Sequence, residues 1–290
     1  MSPVSYELEF ITPLFSKGMY EDLPEVRPPS IRGQLHAWFR TLGYTYADEK
    51  AIFGGVTGDP IASKVVLRVS GVTGRTDRRD TLPHKHGRGN EASPKMCYLP
   101  GTRFTLHVLP RLGGLESRQQ QQLDATLEAW LLMGALGLRT TRGAGSFIWR
   151  PASDTLAPQP PQSFADYEQR CQTLLASAHA RFALLGQEYS SAESARRDCS
   201  DTIGGRDDRR SQDSLTAIRD PLGCIRPQRK TSPLRFRVVG LEGKFRIAAL
   251  WDTRVEVTHN ALSDLQGAIQ GLITKDKPIG HQLAASSLAR

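Results

Sequence analysis

Residues 137–146 read Gly-Leu-Arg-Thr-Thr-Arg-Gly-Ala-Gly-Ser, and no other run constrains the chain as much. An apolar segment with helical spacing leads into it, and a short apolar segment, 147–149, comes after it. The chain must therefore stop a buried helix, turn on glycines, and start a strand. Glycine adopts conformations that turn successive N–H groups toward one point, which is how a loop forms an anion-binding concavity. Arginine adds a planar fork of donors matched to phosphate oxygens. The expected arrangement has Gly143, Ala144 and Gly145 presenting N–H donors while Arg142 neutralises a phosphate, with Arg139 three residues before it. A glycine helix cap with solvated arginines is the plainer alternative, but a cap does not call for two arginines.

Charge points the same way. The chain carries a net charge of +8, with 29 arginines against 9 lysines. That bias favours bidentate contacts and so a phosphate-bearing partner. A length of 290 residues suits about two domains. Cys97, Cys171, Cys199 and Cys224 are scattered, with no CxxC pair, so reduced thiols are expected. Residues 1–7 lack a basic-then-apolar export pattern, and the longest apolar stretch, 130–138, is far below the ~20 residues that cross a bilayer. A cytoplasmic protein is the expectation.

Alternation over residues 6–12 predicts a first strand. Ser30 is the expected cap of a helix that ends at Leu42 before Gly43, with Ile31, Leu35, Trp38 and Leu42 on one core-facing stripe. Arg32, His36 and Arg40 rise on another face at i, i+4, i+8. Residues 63–69 and 103–109 read as strands. Residues 71–99 between them have weak periodicity and hold six cations, Arg75, Arg78, Arg79, Lys85, Arg88 and Lys95, against three acids. Such a long loop is usually functional or disordered. A helix over 119–138 and a strand at 147–149 complete a β-α-β…β-α-β order, which predicts a ferredoxin-like α+β domain over 1–150. Residues 151–163 read as a linker and 164–214 as a helical segment, to 188, and then a mobile polar one. A second unit is expected over 215–290, with strands at 234–239 and 244–250 and a closing helix over 262–272.

Arg27-Pro28-Pro29-Ser30-Ile31-Arg32-Gly33-Gln34-Leu35 with Trp38-Phe39-Arg40 resembles the first-helix motif of the RAMP superfamily of CRISPR-associated proteins. Ile52-Phe53-Gly54-Gly55, Ala62-Ser63-Lys64-Val65 and the glycine loop resemble later segments of that family, and Ser232-Pro233-Leu234 is similar to its second-domain opening. Within the superfamily the pattern is similar to the first-numbered Cmr subunits of type III-B effector complexes. The resemblance implies two ferredoxin-like (RRM-like) domains, binding near the 3′ end of a guide RNA and its paired target RNA, contact with RAMP backbone subunits, and no nuclease activity. It implies RNA contact for Arg32 and His36, places Lys64 beside the glycine loop, and suggests that the 71–99 insertion reaches RNA or a neighbour. Arg40 shares the face of Arg32; Arg229 and Lys230, before Ser232, are further candidates.

Catalytic and cofactor signals are thin. His84, His86 and Cys97 lack a fourth ligand for zinc. No carboxylate pair suits two-metal chemistry, and neither a phosphate-loop nor a dinucleotide motif is present. No metal, cofactor or catalytic residue is therefore expected. The competing readings are an endoribonuclease using His36 or a loop histidine as acid/base, and a structural subunit whose basic loops meet acidic partners. Arg142→Ala is expected to weaken RNA binding on most sequences alike and to flatten the log–log salt slope by about one unit, as measured by filter binding.

Overall fold

The computed structural model describes residues 3–20, 23–152, 158–204 and 232–254. In chain order the elements are β1 (Val4–Phe10), α1 (Pro28–Thr41), α2 (Tyr46–Phe53), β2 (Val65–Thr73), β3 (Thr76–Asp80), β4 (Pro94–Tyr98), β5 (Arg103–Pro110), α3 (Ser117–Met133), β6 (Phe147–Pro151), α4 (Phe164–Leu175), β7 (Ala180–Leu184), α5 (Ala192–Gly204), β8 (Leu234–Leu241) and β9 (Lys244–Asp252).

Four strands form one antiparallel sheet in the order β2-β5-β1-β6. With α1 and α3 as the two crossovers this is the ferredoxin-like arrangement. Period-two alternation on β1 sends Tyr6, Leu8 and Phe10 into the core and leaves Glu7 and Glu9 half-exposed. Ile31, Leu35, Trp38 and Phe39 of α1 and Leu123, Leu127, Trp130 and Leu131 of α3 cover the inner face.

Helix α1 begins earlier than a Ser30 cap would place it. Pro28 and Pro29 occupy the first turn, where a missing N–H costs nothing, and Arg27 is the cap residue. Helix α3 stops at Met133, five residues short of the expected end. Residues beyond it form other bonds: the Leu136 N–H donates to Gly145 O and the Leu138 N–H to Phe15 O. The 71–99 insertion is ordered as the β3/β4 hairpin, with short 3-10 turns at Pro83–Lys85 and Gly89–Ala92.

A second sheet has the order β7-β9-β8. Its β8/β9 hairpin lies where the sequence placed it. Its third strand, 180–184, comes from the stretch expected to be helical through 188; α4 ends at Leu175, and pairing with β9 makes 180–184 extended. The polar stretch expected to be mobile contains α5, whose Ala192, Ala195 and Cys199 share one buried stripe. The sheet is covered on both faces: Phe236, Val238, Ile247 and Trp251 pack with α5, while Val239 and Ala248 join the core of the first domain. The expected closing helix at 262–272 lies outside the described residues.

One side chain joins the sheets, and one glycine closes the loop beside it. Arg237 of β8 is buried; its guanidinium donates to Gly134 O and, at 2.6 Å, to Phe147 O, and lies 4.6 Å from the Phe147 ring centre. Gly145 sits at φ +65°, where an added Cβ would fall 1.8 Å from Leu136 O. Gly145→Ala should therefore cost about 3 kcal/mol or more, read as a lower urea midpoint. In Gly33→Ala, a helix position with open space around it, stability should rise by up to about 1 kcal/mol. Arg237→Ala, which orphans two buried carbonyls, should also cost about 3 kcal/mol or more.

Candidate nucleic-acid interface

The glycine loop does not present its backbone to solvent. Gly143, Ala144, Gly145 and Ser146 are all buried. The Gly143 N–H donates to Phe236 O at 3.2 Å, that of Ala144 to Arg139 O at 3.3 Å, and that of Gly145 to Pro13 O at 3.0 Å. The Ser146 N–H donates to Thr12 Oγ1, and the Ser146 hydroxyl accepts from the Val238 N–H. The expected phosphate nest of Gly143, Ala144 and Gly145 is thus corrected: these donors hold β8 and the chain after β1 against the loop. What the loop turns outward is its preceding half. Leu138 and Arg139 are exposed, Arg139 at φ +62°, and Arg142 is half-buried at the end of a 3-10 turn.

The Arg32, His36 and Arg40 stripe makes protein contacts too, although the Arg40 side chain is 55% exposed. Arg32 donates to Phe53 O at 2.8 Å, Ser63 Oγ at 3.0 Å and Val65 O at 2.9 Å, tying α1 to the end of α2 and the start of β2. Burial and nearby Arg111 lower its pKa. Arg40 grips both carboxylate oxygens of Glu49 at 2.9 Å, and His36 Nδ1 bonds the same carboxylate. Glu49 is only 2% exposed. Burial pushes its carboxyl up, but bonds from Arg40 and His36 outweigh this and hold it below the usual carboxylate range. Sequence reasoning missed Glu49. The signal was there: it precedes Ile52 and Phe53 by three and four positions, so an acid sits on the apolar face of α2 and needs cationic partners.

Lys64 lies half-buried with Nζ on Gln119 Oε1 at 3.0 Å, bracing the cap of α3 rather than the glycine loop. His84 Nδ1 bonds Ser200 Oγ at 2.7 Å, His86 bonds Asp80, and the buried Cys97 thiol donates to Asp77 O. Burial pushes that thiol up to about 11. These three groups therefore point to three different partners, and no cluster of three metal-ligating side chains occurs among the described residues. Arg229 and Lys230 lie outside the described residues.

The structure brings together a different set. Leu14 and Tyr98 exchange backbone hydrogen bonds, and Leu138 N–H reaches Phe15 O, so the chain after β1, the insertion hairpin and the glycine loop converge. Phe15, Cys97 and Ala144 form a small core beneath them. From α5, buried Arg196 donates to Asp80 O and Thr81 O and lies 5.2 Å from the Phe15 ring centre. Above this core is a groove of about 160 Å³ lined among the described residues by cationic Lys17, Arg78 and Lys95 and by apolar Met96 and Leu138. Arg78 and Lys95 belong to the insertion whose charge the sequence had marked; Lys17 carried no signal.

No described helix is long and apolar enough to cross a membrane. The chain is 29% identical over 175 residues to the CRISPR system Cmr subunit Cmr1-1 of Pyrococcus furiosus, which is 52% of this chain and 49% of that protein. It thus spans about half the length of that curated relative. The fold is similar to the crystal structure of apo Cmr1 from Pyrococcus furiosus, with a TM-score of 0.60 and 20% identity over 87% of this chain and 88% of that one. It is also similar to a chain in the cryo-EM structure of the type III-B Cmr-beta complex bound to cognate target RNA, with a TM-score of 0.55 and 11% identity over 92% of this chain and 100% of that one. Residues 7–148, which carry most of the four-stranded sheet and both of its crossover helices, match the model of the RAMP superfamily, and this segment of the chain belongs to that superfamily.

Proposed function

We propose that this chain is a non-catalytic RNA-binding subunit of a type III, Cmr-type CRISPR ribonucleoprotein. It holds guide RNA and target RNA through backbone phosphates, beside RAMP backbone subunits. The observation that carries the reading is the groove where Lys17, Arg78 and Lys95 converge, next to exposed Arg139. Cations gathered on a rigid scaffold displace counterions from a polyanion whatever its sequence, so base pairing within the RNA sets the specificity. Similarity to a Cmr subunit and to a chain of a target-bound Cmr complex supports the same partner class. Placement near the 3′ end of the guide rests on the resemblance to type III-B subunits.

The non-catalytic part rests on the resemblance to type III-B subunits; four of the five described histidines are held by side-chain partners. His36 leans on Glu49 and the Phe53 ring, and His107 sits between the hydroxyls of Ser5 and Ser70. His84 and His86 bond Ser200 and Asp80. In this reading Arg32 serves RNA binding by keeping α1, α2 and β2 in place, and half-exposed Arg40 by holding Glu49.

A filter-binding salt titration of the purified chain tests the proposal. Log affinity should fall linearly with log salt, and Arg78→Ala/Lys95→Ala should flatten the slope by about two units. Arg32→Ala should instead lower the melting temperature while the folded fraction keeps the wild-type slope. Cleavage of labelled guide precursor that disappears in His36→Ala would overturn the non-catalytic assignment.

A further inference from the structure

Polar side chains without a partner converge on the cleft between α1 and the second sheet. Gln34 of α1, Thr140 at the start of the 3-10 turn and Arg235 of β8 line it, among apolar Trp38, Phe182 and Leu250. None of these three polar side chains makes a hydrogen bond or an ion pair among the described residues. Arg237, two residues along β8 and in the same lining, differs: its donors go to Gly134 O and Phe147 O. Asp252, the acid whose charge reaches Arg235, is 6% exposed and taken by Arg254, which donates to its two oxygens at 3.0 and 2.6 Å. Arg235 therefore keeps its whole fork of donors in a half-buried position. Burial lowers its pKa more than Asp252 raises it, so the cation lacks solvation that an anion would restore.

Size and position narrow the occupant. The cleft measures about 20 Å³, which admits one water-sized group such as a phosphate oxygen and excludes a base. Thr140 lies two residues past Leu138 on the wall of the cationic groove, and Arg139 between them is exposed. The outward half of the glycine–arginine loop thus separates the groove from the cleft. From this juxtaposition we infer that the cleft is a second phosphate seat, where Arg235 takes a backbone phosphate oxygen of the RNA and Gln34 and Thr140 donate to the same group. The inference rests on the RNA-binding reading above and gives the second unit a direct share in that binding. Phosphates repeat along a strand, so a backbone held at the groove carries further anions past the neighbouring cleft. Neutral amides and hydroxyls join arginine at phosphate oxygens and read no sequence.

The test is a filter-binding salt titration of the full chain with a labelled guide-length RNA. Arg235→Met removes the charge and keeps the aliphatic stem. It should flatten the log–log slope by about one unit while the melting temperature holds or rises, because no protein hydrogen bond is lost. Added to Arg78→Ala/Lys95→Ala, it should bring the loss to about three units, since the contacts are separate. Arg235→Lys, which keeps the charge, should keep the wild-type slope. If Arg235→Met lowers the melting temperature, Gln34→Ala/Thr140→Val decides: binding weaker by about tenfold at the wild-type slope supports the seat, and unchanged affinity overturns it. An unchanged slope in a stable Arg235→Met means that the cleft holds only water, which overturns the seat and leaves the groove reading in place. If that variant keeps the slope but no longer co-purifies with sister subunits, the cleft takes a partner's carboxylate and the inference is wrong. No salt-dependent RNA binding by wild type would sink both readings.

Discussion

Backbone donors that turn inward at residues 143–146 hold this molecule together. Gly143 donates to Phe236 on β8, Gly145 to Pro13, and Ser146 to the Thr12 hydroxyl, while the Ser146 hydroxyl accepts from Val238. Two of these bonds stitch the first sheet to β8 of the second, and two hold the chain after β1 against the loop. An unpaired buried N–H would be costly, so every one of them fixes a neighbour. Arg237 completes the joint from the other side, its buried guanidinium on Gly134 O and Phe147 O. Burial lowers its pKa, and the aromatic face of Phe147 supports its charge.

That joint is what holds a composite cationic surface together. The groove draws its walls from the chain after β1, the insertion hairpin and the residue before Arg139, segments distant in sequence. They hold still because α5 of the second unit reaches under them through Arg196. In the proposed reading anion recognition falls to side chains at the rim, and the backbone beneath serves as frame. The same division of labour explains the α1 stripe. Arg32 satisfies carbonyls and Arg40 a buried carboxylate, which ties α1 to α2 and β2, while Arg40 keeps an exposed side chain.

Much of the first domain was legible in the residues. Alternation on β1 and helical spacing on α1 and α3 reflect burial against one face, a local pattern that survives folding. Strand 180–184 was not legible, because Ala-Arg-Phe-Ala-Leu fits a helix as well as a strand and only the β9 ladder decides. The end of α3 was misplaced for a related reason: residues 134–138 keep apolar character but bond to Gly145 and Phe15 rather than to the preceding turn.

The site shows the same boundary. By itself the sequence determined that the chain is cationic, that its charge is gathered in an insertion and a glycine–arginine loop, and that a ferredoxin-like frame carries both. Those properties stem from composition and short-range periodicity. Only the tertiary structure decided which cations face solvent and which brace the fold, because a guanidinium binds a phosphate or a protein carbonyl by the same hydrogen bonds. Packing, not residue type, set Arg32 inward and brought Lys17, Arg78 and Lys95 together around a groove.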